Sequence, residues 1–214
     1  MASALHDPPA SNQTTPSRLA ELRARPRRAG EASFFFYDSH FKSDAVKVLP
    51  GEYFVYGSDI VMTTTLGSCI ATCLWDCGAG IGGMNHFMLP DGRSDSGRYG
   101  AYAMELLINE LMKLGATRSR LEAKLFGGAQ VIDGMRTLNI GERNTDFAIR
   151  YLEAERIPVV SNDVRGPHPR KVCFVPASGK AMVKRLAAAH PDALVPLPRA
   201  VLPADAGAGS VDLF

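Results

Sequence analysis

The sequence lacks what would tie it to a membrane, to a nucleic acid or to an oxidising compartment. No stretch approaches the roughly 20 apolar residues that span a bilayer, and the opening "MASALHDPPASNQTTPS" has neither the basic start nor the apolar run of a secretory leader. These absences give the expectation of a soluble, cytoplasmic protein without membrane insertion. Only four of the 214 residues are cysteine, and three of them are bunched. That is no disulfide framework in a chain long enough to fold without one, so the thiols are read as reduced. An excess of one charge is missing too. Residues 1–33 carry five arginines against three acidic residues, and residues 34–214 carry 19 basic and 19 acidic side chains. A neutral body without a basic stripe cannot neutralise a run of phosphates, which argues against nucleic acid as a partner.

What is present is ordinary globular composition, 46% hydrophobic and 21% charged, enough for one domain with a full core. Residues 1–33 read as a disordered N-terminal extension, with "RARPRR" at Arg23 to Arg28 as a solvated basic run. Residues 189–214, with four prolines and "AGAGS", read as a flexible C-terminal tail. The folded unit is then 34–188. Inside it "IVMTTTL", "CIATCLW" and "IGGMNHFML" predict three consecutive strands, "LEAKLF" and "IPVVSNDV" two more, and "KVCFVPASGKAMVKRL" a hairpin. Apolar residues at three- and four-residue steps predict helices over Tyr99 to Leu114, stopped by Gly115, and over Glu142 to Glu155. Strand runs broken by only two long helices favour an α+β sheet architecture.

The segment "TTTLGSCIATCLWDCGAGIGGMNHFMLP" poses the functional question, because it holds Cys69, Cys73, Cys77 and His86. A zinc site would gather paired ligands from two places in the chain, and the fourth cysteine, Cys173, stands alone; no metal and no cofactor are expected. Cys73 and Cys173, set among apolar strand residues, read as small core hydrophobes. Cys69 differs, since it follows the tight turn Leu66–Gly67–Ser68. There a substrate carbonyl could approach the main-chain N–H groups of Gly67 and Ser68 beside a thiol. A thiol needs a base, and His86, seventeen residues on, is the histidine of this segment. A third group usually fixes the imidazole tautomer; Thr63, Thr64 and Thr65 all offer hydroxyls, and the residues alone do not choose among them.

At this point six ordered blocks, "LPGEYFV", "TTTLGSCIATCLWD", "GIGGMNHFMLPD", "AKLFGGAQV", "NIGERN" and "SGKAMVKRL", resemble those of the CheD family of chemoreceptor glutamine deamidases over about Leu49 to Leu186. The leading "FFFYDSHFK" resembles the proteobacterial branch. The resemblance implies packed mixed β-sheets flanked by helices, as in the catalytic domain of cytotoxic necrotizing factors. It implies a cysteine-dependent hydrolysis of glutamine side chains to glutamate, with Cys69 as nucleophile, His86 as base and acid, and Thr63, six residues before the cysteine, orienting His86. It also implies as partners the cytoplasmic helical region of methyl-accepting chemotaxis receptors and a CheC-type phosphatase, and a monomer is expected. Recognition of a receptor bundle needs a surface around the cleft, for which Asn85, Gly82, Gly83 and the "GGAQ" turn are candidates. Gln130 stands where the family often has Asn. The alternative is a non-catalytic binding module using the same surface.

Overall fold

The computed structural model describes residues 17–90, 96–130 and 139–187. Short runs rich in β-branched and aromatic residues supply its strands: β1 Phe34–Asp38, β2 Ser43–Lys47, β3 Tyr53–Tyr56, β4 Val61–Leu66, β5 Ile70–Asp76, β6 Ile81–Asn85, β7 Leu121–Gly127, β8 Val159–Val164, β9 Arg170–Val175 and β10 Lys180–Arg185. They form two five-stranded sheets. Sheet I has the order β1-β2-β4-β9-β10 and sheet II the order β3-β6-β5-β7-β8. Each sheet contains one parallel pair, β2 with β4 and β7 with β8, and is otherwise antiparallel. The helices are α1 Arg18–Ala24, α2 Gly100–Lys113 and α3 Ile140–Ala154. The expected α+β class, mixed sheets flanked by helices, is the one observed.

Alternation along the strands divides the core into layers. Met62, Leu66, Val172 and Phe174 of sheet I meet Phe54, Ala71, Cys73, Met84 and Phe126 of sheet II between the sheets. The other face of sheet II, with Ile70, Leu74 and Leu125, is covered by α2 and α3. On α2 the buried Ala103, Met104, Leu107, Ile108 and Leu111 recur at three- and four-residue steps, and each fully buried Leu or Ile contributes about 1.5–3 kcal/mol. The helix ends where Gly115 takes φ +104°, a backbone angle that a side chain would disfavour. On α3 the Asn139 side chain accepts from the Glu142 N–H at 3.1 Å and donates to its carboxylate at 3.0 Å, fixing the helix start.

One expectation needs correction. The boundary at 33/34 is displaced, because residues 17–33 are part of the fold; residues 1–16 and 188–214 lie outside the described residues. Leu22 of α1 and Ala32 are buried with the layer between the sheets. Four of the five arginines of this segment are paired: Arg18 Nε with Asp44 at 2.8 Å, Arg23 with the Phe35 carbonyl at 2.8 Å, Arg25 with Glu31 and Arg28 with Glu110. Composition suggested solvation because these partners are distant in sequence. Leu22→Ala should therefore lower the free energy of unfolding by about 2–3 kcal/mol, read from urea denaturation; a loss below 0.5 kcal/mol, roughly that of an inert surface position, would detach α1 from the core. The strands β4 and β5, consecutive in sequence, lie in different sheets. The turn between them, residues 67–69, carries the chain from sheet I to sheet II.

Candidate active site

Strand register brings Cys69 and His86 to one face. Cys73 pairs with Met84 and Ile70 with Phe87, so Ala71 lies opposite His86, and Cys69, two residues from Ala71, is its diagonal neighbour. Such diagonal side chains are about 7–8 Å apart at their backbones, within reach of a long side chain. Cys69 is half-buried against the layer between the sheets, and His86 is 2% exposed. The His86 backbone is held on both sides of the peptide, its N–H by the Glu52 carbonyl at 3.0 Å and its carbonyl by the Gly51 N–H at 2.7 Å.

The ring is oriented by sheet I. The Thr64 hydroxyl donates to the Val48 carbonyl at 2.7 Å and lies 2.9 Å from His86 Nδ1. A hydroxyl has one proton. With it given to Val48, Thr64 Oγ1 can only accept from Nδ1, so the network assigns the hydrogen to Nδ1 and leaves Nε2 with a bare lone pair. Nε2 is buried and has no partner among the described residues. It is an available base, and closing it onto the Cys69 sulfur takes a side-chain movement.

Thr63, given the orienting role by resemblance, does not make this contact. β4 alternates, so Met62, Thr64 and Leu66 face the other sheet while Thr63 turns to the outer face, where its hydroxyl is 3.6 Å from the Cys173 thiol. Thr65 is exposed. The signal was available: Thr64 is flanked at two-residue spacing by the apolar Met62 and Leu66, which had to face the core.

Burial sets the resting charges. It pushes the His86 pKa down to about 4, against a smaller upward pull from the Val48 carbonyl. It pushes the Cys69 thiol up, against its own backbone N–H. Both groups rest neutral near pH 7, which suits a base that takes a proton as attack begins. Stability follows. Between pH 6.5 and about 4 an unfolded His86 is protonated and the folded one is not, so the unfolded state binds more protons and stability falls as pH drops through that window. Wild type should lose on the order of 3 kcal/mol relative to His86→Asn over this range. Parallel pH profiles of the two proteins in denaturant titrations would contradict a buried neutral imidazole.

The turn before Cys69 is tied down by its carbonyls. Gly67 O accepts from Ala129 N–H at 2.8 Å, Ser68 O from the Asn144 side-chain amide at 2.9 Å, and Cys69 O from Gly128 N–H at 2.8 Å. The N–H groups of Ser68 and Cys69 meet no acceptor from another residue among the described residues. Gly127 and Gly128 make this docking possible: both have positive φ, and a Cβ would collide with the Cys69 carbonyl or with Thr145 Oγ1. Arg170, itself buried, holds the Gly127 carbonyl at 2.8 Å and pairs with Asp163 at 3.0 Å.

The remaining candidates separate cleanly. Asn85 is fully buried and turned away from the cleft; its oxygen accepts from Thr72 N–H at 2.9 Å and its amide donates to the Ala103 carbonyl at 3.1 Å, clamping β5, β6 and α2. Gly82 and Gly83 are buried, and a Cβ on Gly83 would strike Val55 and Leu107, so they serve packing rather than recognition. Gln130 lines a small cleft with Asn139, Glu142 and Arg165. Cys73 and Cys173 are core residues and Cys77 is exposed, so the cysteines do not converge. Among the described residues no three His, Cys, Asp or Glu side chains gather as metal ligands, and no helix is long and apolar enough to cross a membrane.

A half-buried thiol, a buried imidazole with a bare Nε2 and a turn with two open N–H groups lie in one region, a set of groups that cysteine-dependent acyl transfer requires. The comparisons give the family. Residues 88–185 match the family model described as CheD chemotactic sensory transduction. A protein of Albidiferax ferrireducens described as "Probable chemoreceptor glutamine deamidase CheD 1" is 59% identical over 204 residues, covering 92% of this chain and 87% of that one. That span necessarily takes in residues 63–86. A Burkholderia thailandensis protein of the same description is 55% identical over 168 residues, 75% of this chain and 72% of its own length. A Burkholderia orbicola protein described as "Probable chemoreceptor glutamine deamidase CheD" is 58% identical over 158 residues, 71% of this chain, which spans 64% of that relative's length. The chain belongs to the CheD family.

Proposed function

We propose that this protein deamidates glutamine side chains of chemoreceptors through a thioester on Cys69. The observation that carries the reading is the bare Nε2 of His86, fixed by Thr64 and Val48 on the face shared with Cys69. His86 Nε2 takes the thiol proton and the sulfur attacks the carboxamide carbon. The oxyanion is received by the N–H groups of Ser68 and Cys69. The imidazolium returns the proton to the leaving nitrogen, ammonia departs, and the thioester remains. Water, giving a proton to Nε2, then attacks the thioester; collapse expels the sulfur, which regains its proton from the imidazolium and releases glutamate.

The substrate is the cytoplasmic helical region of a methyl-accepting receptor, which places the protein in the cytoplasm. A monomer is sufficient, since every group used belongs to one chain. A CheC-type phosphatase is a further partner, an expectation that rests on the resemblance alone. The test is incubation with a purified receptor cytoplasmic fragment, with ammonia release and Gln-to-Glu conversion followed by mass spectrometry. Binding of the fragment without conversion would favour the non-catalytic module.

A further inference from the structure

Asn144 is a polar residue in the interior of α3 and is completely buried. Helix interiors disfavour asparagine, and a residue whose task was only to fill the space under α3 would be apolar. Its amide nitrogen donates two hydrogen bonds, to the Ser68 carbonyl at 2.9 Å and to the Met88 carbonyl at 2.9 Å. Carbonyls only accept, so the amide orientation is unambiguous. Its oxygen is left buried with no donor among the described residues. One side chain thus spans the turn that presents Cys69 and the strand continuation two residues after His86.

We infer that Asn144 is a positioning residue for the oxyanion site, acting through the peptide between Ser68 and Cys69. This rests on the deamidase reading above. In a trans peptide the carbonyl and the following N–H point in opposite directions in one plane. Holding the Ser68 carbonyl from the α3 side therefore turns the Cys69 N–H the other way. The neighbouring peptides are set by main chain alone: Ala129 N–H holds the Gly67 carbonyl, and the Cys69–Ile70 peptide is held at both ends by Gly128 N–H and the Phe87 carbonyl. The Ser68–Cys69 peptide is the one whose direction depends on a side chain. The second bond, to Met88, keeps that peptide in step with the strand bearing the base.

Oxyanion stabilisation and thiol nucleophilicity can be read separately. Alkylation of Cys69 by iodoacetamide displaces iodide at a saturated carbon and uses no oxyanion, whereas deamidation does. Asn144→Ala should lower kcat for release of ammonia from a receptor cytoplasmic fragment by about 30–300-fold, near the range for loss of one oxyanion donor, with KM within about 3-fold. The alkylation rate of Cys69 should stay within about 2-fold of wild type. Asn144→Asp keeps the shape but has no donor when ionised; protonation restores one, so its activity relative to wild type should rise as pH falls from 8 to 6. Rates are normalised to titrated reactive thiol, so a variant that folds poorly is still scored on its folded fraction, and Asn144→Asp supplies the pH readout independently. A kcat within 3-fold of wild type, a parallel fall in alkylation, or a flat relative pH profile for Asn144→Asp would each overturn the assignment. The underlying reading fails on different data, namely absence of ammonia release by wild type or its persistence in Cys69→Ala.

Discussion

Cys69→Ala releases no measurable ammonia from receptor fragments and melts within a few degrees of wild type: this is the largest effect expected of any single substitution. The nucleophile is irreplaceable, and removing such a group costs on the order of 10⁴–10⁶-fold in kcat. Its turn is held by carbonyl contacts that the substitution does not touch, so the fold survives. Cys69→Ser should be almost as inactive, because a hydroxyl is far harder to deprotonate than a thiol for an imidazole held near pKa 4. Cys77→Ala, at an exposed turn position, should be silent, and Cys73→Ala should cost stability but not turnover, since Cys73 is core. Mass spectrometry of the receptor fragment scores all four variants. Full activity in Cys69→Ala would remove the thioester mechanism altogether.

The second large effect separates two adjacent threonines. Thr64→Val removes the oxygen that accepts from Nδ1, the hydrogen-bond partner of the ring among the described residues. Loss of an orienting partner of this kind costs on the order of 10–100-fold in activity. Thr64→Ser should keep most of the rate because the oxygen remains. Thr63→Val should stay within about 3-fold of wild type, since among the described residues its hydroxyl meets only the Cys173 thiol on the outer face and valine suits a strand. Initial rates with melting temperatures decide it. A large loss in Thr63→Val with Thr64→Val unaffected would transfer the orienting role back to Thr63 and void the tautomer assigned above.

Much of this architecture was legible because its signals are local. The apolar steps of α2 and α3 and the glycine that closes α2 lie within a few residues of one another, and both helices appear within two residues of their expected ends. Cys69 was marked by its Gly-Ser turn, and His86 by being the histidine in the same segment. What escaped is what depends on pairing at a distance. The contacts of residues 17–33 run from Arg28 to Glu110 and from Leu22 of α1 into a core shared by both sheets. Thr64 meets His86 across 22 residues, and Asn144 meets Ser68 across 76. The family blocks contained Asn144, in "NIGERN", but nothing local distinguished an amide that organises a turn from one that ends a helix.

The crossover at residues 67–69 has a consequence for the cell that makes this protein. A deamidase at large among other proteins would damage their glutamines, and its thiol sits on the single turn that joins the two sheets. The partner that readies the imidazole sits on the opposite sheet, however, so the chemistry is assembled only when the two sheets have closed on each other. A copy that is nascent, half-denatured or cut between the sheets carries the thiol without a poised base. By the roughly 10–100-fold expected for loss of that partner, such a copy attacks bystander glutamines correspondingly more slowly.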